Sequence, residues 1–104
     1  MSSLESLRRS ATDGVADWLS QLVENLPNLA PKRADPTEAD PAVPEHLNRF
    51  VHGVLTTNPD TRDPLPAIHI FLIELALGCV DWEALARDSR FRHFDWSQAR
   101  LIYP

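Results

Sequence analysis

The sequence has a single cysteine, Cys79, so it cannot close an internal disulfide. A lone thiol fits a reducing compartment, and a cytoplasmic location is expected. Long apolar runs are missing as well. The longest, "AIHIFLIELALGCV", is 14 residues and holds His69 and Glu74, whereas a bilayer-spanning helix needs about 20. No membrane partner is expected, and "MSSLESLRRSATDG" has no apolar core of a secretory signal. Lysine is nearly absent, with Lys32 standing against nine arginines. A GC-rich bacterial genome would produce that bias, which leaves the chain with planar cations suited to carboxylates and aromatic faces. With 15 acids against 10 bases the net charge is −5, and such a field repels phosphate backbones and anionic lipid.

Catalytic signatures are also lacking. There is no Gly-rich phosphate loop, no Ser-His-Asp arrangement, and no Glu-x-x-His or H-E-x-x-H among the four histidines. His46 and His52 are six residues apart and leave a helix on different faces. Cys79 sits at a helix C-terminus, where the dipole works against thiolate formation. No cofactor or metal is expected, and an enzyme is disfavoured.

The pattern that is present is helical. Leu4, Leu7, Ala11, Val15, Trp18, Leu22 and Leu26 advance by threes and fours, predicting an amphipathic helix over residues 3–26 that Pro27 ends. Leu47, Phe50, Val51, Val54 and Leu55 predict a second helix over 44–57, with Pro44 in its first turn. A third, capped by Asp63 and running to about Cys79, is apolar on nearly all sides, which predicts that it is the centre of the fold. "DWEALARDS" and "DWSQARLI" predict two short helices with Asp81 and Asp95 as N-caps. Gly14, Gly53 and Gly78 all fall inside these predicted helices, and close helix approach, or a bend where a tryptophan docks, is the expected reason.

Residues 27–44, "PNLAPKRADPTEADPAVP", contain five prolines and no apolar period, so they read as a stiff extended linker. Pro41 to Pro44 has the form P-x-x-P, without the flanking basic residues that a proline-recognising groove favours. The expected architecture is all-α: a small irregular bundle of three main helices and two short C-terminal ones, with a proline-rich extended crossover. Its divisions are an N-terminal helix (1–26), a linker (27–44) and a helical core (45–104).

Three functional readings follow. The leading one is a non-enzymatic protein–protein interaction module: an adaptor, regulatory subunit, small chaperone or inhibitor. Its contacts would come from Leu7 and Trp18 on the first helix, a segment that could also mediate homo-oligomers, and from an Arg/aromatic C-terminal segment. That segment carries Arg87, Arg90, Phe91, Arg92, His93, Phe94, Trp96 and Arg100, types favoured in interface hot spots. Its four arginines are balanced by Asp81, Glu83, Asp88 and Asp95, which suits an interface or internal ion pairs better than a phosphate track. The second reading is a ligand- or metal-binding or catalytic bundle using Glu74 and His69. These two diverge by about 140° on one helix, so each needs a partner elsewhere, with arginine expected for Glu74. The third is a nucleic-acid binder through Arg87–Arg100, disfavoured by the acidic total.

Overall fold

A computed structural model describes residues 3–35, 37 and 40–100. Four α-helices appear among them: α1 (Ser3–Asn25), α2 (Val43–Leu55), α3 (Ala67–Leu77) and α4 (Trp82–Arg87), followed by a 3-10 turn at Trp96–Gln98. The all-α expectation holds, and no strand occurs among the described residues beyond two isolated bridges. The second "DW" segment forms only the 3-10 turn. Asp81 and Asp95 do cap: their carboxylates accept from the amides of Ala84 and Ser97.

The hub is α2, not α3. Its Val43, Leu47 and Val51 are buried, and it packs against α3, α4 and the 3-10 turn. Period and polarity explain this, because one stripe of α2 is apolar while Glu45, Arg49 and Gly53 face water. Thr56 and Thr57 close its end by donating to the carbonyls of His52 and Gly53. A turn built on Asn58 follows, in which Arg62 adopts φ 63°, a left-handed conformation costly for a side chain bearing a Cβ. Asp63 does not cap α3, which begins later, after Pro66.

The helix α1 is not free. From Ala11 onward it lies on the core, burying Ala16 and Leu19, with Trp18 and Leu22 packed alongside. Its register is set by Thr12, whose Oγ1 accepts from the Asp81 amide at 2.9 Å. Residues 3–10 stand out into solvent. Gly14 and Gly53 have nothing within 4 Å of an added Cβ, so close helix approach does not explain them.

The predicted spacer is partly structural. Leu29 and Ala30 are buried at a bend, and residues 31–33 run extended beside residues 93–95, where Lys32 and Phe94 form an isolated antiparallel bridge. The Arg33 amide donates to the His93 carbonyl at 2.8 Å, Asp95 to Pro31 at 2.7 Å, and Arg100 to Leu29 at 2.9 Å. Proline suits such a strap, since it holds an extended backbone and still offers its carbonyl. One buried cluster therefore draws Ala16 and Leu19 from α1, Leu29 from the strap, and Leu47, Leu77, Leu85, Phe91 and Trp96 from the rest.

Candidate functional site

The most unusual surface is α3, "AIHIFLIELAL". At about 100° per residue, Ile70, Ile73 and Leu77 form one stripe, turned toward the rest of the fold: Leu77 is buried and Ile70 and Ile73 half-buried. Ile68, Phe71, Leu72 and Leu75 form a second stripe at i, i+3, i+4, i+7 on the opposite side. These four are 60%, 56%, 56% and 55% exposed. The expectation that all-round apolarity meant burial is thus overturned. The helix carries two apolar faces back to back, and only one of them is covered.

Four such side chains leave roughly 400 Å² of apolar surface together, the scale at which patches on monomers tend to be functional. Covering that area would gain about 10 kcal/mol before association costs, at about 25 cal/mol per Å². The stripe carries no charge. Glu74 lies about 120° round the helix from the centre of the stripe, where its Oε1 meets His52 Nε2 of α2 at 3.2 Å. Histidine therefore takes the place expected for arginine. Both partners are about half exposed, so the pair contributes less than about 1 kcal/mol. A groove of about 510 Å³ beside it is lined by Asn48, His52, Glu74, Leu77, Gly78 and Trp82. His69 is solvent-exposed on the far flank, apart from Glu74. Among the described residues no group of three or more His, Cys, Asp or Glu is placed to hold a metal ion.

The C-terminal segment is used largely by the protein itself. Phe91 and Trp96 are buried, and the Trp96 ring lies tilted at 5.5 Å from Phe50 and edge-on at 5.6 Å from the half-buried Phe94. Offered as partner-binding residues, Phe91 and Trp96 instead shape the core. Both C-terminal tryptophans do one further job: Trp82 Nε1 donates to the Leu77 carbonyl and Trp96 Nε1 to that of Phe91. Asp81-Trp82 and Asp95-Trp96 thus each close one segment with the indole and open the next with the carboxylate.

Arg90 is held by Asp88 through two side-chain bonds, Nε to Oδ1 at 3.0 Å and Nη2 to Oδ2 at 2.8 Å. It also covers the Phe91 ring at 5.1 Å. The guanidinium's hydrogen bonds hold the Asp88 carboxyl below its ordinary range, against a smaller upward push from burial. Arg90 is raised in turn, first by Asp88 and more weakly by Asp17 and Asp13 of α1. Arg87, Arg92, His93 and Arg100 remain exposed. Arg33, Arg87 and Arg92 share a cleft with Asp40 and Glu83, so acids interrupt the cations on that surface. On α1, Leu7 is exposed at 55% while Trp18 lies half-buried against the core.

Ile68, Phe71, Leu72 and Leu75 were not among the residues expected to make contacts. Their signal was the same apolar run that suggested a buried centre. No described helix is long and apolar enough to cross a membrane. Compared with known proteins, the chain matches no family model, and no curated protein or solved structure matches it.

Proposed function

We propose that the chain is a non-enzymatic protein-interaction module whose contact surface is the outward stripe of α3. The occupant it suits is a helical face that is itself apolar and uncharged, because the stripe offers side chains at helical spacing and no group to pair a charge. The observation that carries this reading is the exposure of Ile68, Phe71, Leu72 and Leu75 at 55–60% on one face of an ordered helix. Isolated exposed apolar residues are ordinary, but four on one stripe are not. Leu4 and Leu7, exposed on the projecting turns of α1, give a second, smaller apolar surface. The exposed Arg87, Arg92, His93 and Arg100 serve solubility and orientation in this reading.

Site-specific photo-crosslinking in cells tests it. A photoreactive residue at Leu72 or Leu75 is expected to give a discrete adduct identifiable by mass spectrometry, and one at Arg92 is expected to give none. Adducts from position 92 alone, or from neither helix position, would overturn the assignment of α3.

A further inference from the structure

We infer that the occupant of this stripe is α3 of a second copy, packed antiparallel; this rests on the reading of α3 as a contact surface. The sequence of the helix carries the argument. Residues 67–76, "AIHIFLIELA", are symmetric in chemical kind about a midpoint between Phe71 and Leu72. Ala67 mirrors Ala76, Ile68 mirrors Leu75, Ile70 mirrors Ile73 and Phe71 mirrors Leu72. Only His69 and Glu74 differ in kind, and neither lies on the exposed stripe.

A two-fold axis through that midpoint sets every residue of one helix level with its mirror in the other. The exposed stripe then forms layers of Phe71 with Leu72 and of Ile68 with Leu75, each a larger or branched side chain beside one of similar bulk. The small Ala67 and Ala76 come at the ends, where they let the backbones approach. A parallel arrangement would instead set Phe71 level with itself and Ala76 level with itself, giving one wide layer and one narrow one. Antiparallel packing gives an even seam.

Charge points the same way. Each copy carries −5, so two copies repel through most of their surfaces. The exposed stripe has no ionised group, and the one carboxylate of α3 sits on its flank against His52. A membrane surface would favour cationic residues around the apolar face, and between Pro64 and Val80 there is no lysine or arginine. The area is adequate but small. Two stripes of roughly 400 Å² with their flanks approach the lower limit of specific interfaces, near 1,200 Å² in total. A dimer that dissociates on dilution is therefore expected.

Sedimentation velocity of the full chain, from about 1 to 100 µM, should show the mass rising from 11.7 kDa toward twice that value. Leu72→Glu should remain monomeric with an unchanged far-UV circular dichroism spectrum. Disulfide trapping in a Cys79→Ser background reads the orientation. Ile68→Cys mixed with Leu75→Cys should crosslink readily, whereas Ile68→Cys alone should not, because its two copies stand about 10 Å apart along the axis. Faster crosslinking of Ile68→Cys alone would overturn the antiparallel seam. A monomer at every concentration would overturn self-pairing. If Leu72 then photo-crosslinks to a different protein, the contact surface stands with another occupant; if neutral phosphatidylcholine vesicles instead retain the chain, that occupant is lipid. With no adduct from either helix position, both readings fall together, whether or not vesicles bind.

Discussion

Helices α2 and α3 are of similar length, 13 and 11 residues, and lie against one another, yet they divide the work of the fold in opposite ways. The polar residues of α2 confine its apolar ones to one stripe, and that stripe meets three neighbours. Almost every position of α3 is apolar, and only Leu77 is fully buried. Burial follows from how many faces the surrounding elements can cover, not from how apolar a helix is. In this chain α1 packs most of its stripe on the core and α4 is six residues long, so no described element wraps the second face of α3.

Truncation gives the largest contrast. Leu47→Ala, at a fully buried site, should cost about 3 kcal/mol in urea unfolding, while Leu72→Ala in dilute monomer should cost less than about 1 kcal/mol. Comparable losses at the two positions would break the comparison. Glycine substitution comes next. A Cβ at Gly53 of α2 meets nothing within 4 Å, so Gly53→Ala should raise stability by about 1 kcal/mol through helix propensity. The link between the helices is weaker. Glu74→Gln alters one half-exposed hydrogen bond with His52 and should cost under about 1 kcal/mol, checked by thermal melting at neutral pH.

The smallest effect lies outside both helices and calibrates their electrostatics. The Asp88 carboxyl is lowered from an ordinary value of 3.8. Its ionised form is favoured by folding, so its contribution is present above that value and is lost as pH falls through the lowered one. Asp88→Asn should therefore flatten the acid limb of a stability–pH curve below about pH 4 and leave neutral stability changed by less than about 1 kcal/mol.

Much of the fold was legible in the sequence. The first two main helices follow from i, i+3, i+4 spacing, the third from the length of its apolar run, and the Asp81 and Asp95 caps from aspartate preceding a helical turn. What the sequence hid was tertiary. Periodicity cannot say whether Ile68 and Leu72 face a core or open water, since both stripes of α3 are equally apolar. Nor can composition show that Leu29 and Ala30, amid prolines, find a slot against residues 93–100. The aromatic cluster was visible as Phe91, Phe94 and Trp96, but its inward direction depends on Phe50, which lies far away in the chain. Glu74 was expected to pair with an arginine; proximity across α2 and α3 selected His52 instead.

The strap has a consequence for the order of events during synthesis. Leu29 bonds to Arg100 and Pro31 to Asp95, so these contacts close across most of the chain. Such distant closure is slow relative to helix formation. At roughly 5–20 residues per second of translation, α1 emerges several seconds before the segment that holds its following strap in place. During that interval its apolar stripe has no finished core to cover it. A nascent chain stalled before residue 93 should therefore be open to proteases throughout residues 11–33, and become resistant there once residues 93–100 have cleared the ribosome.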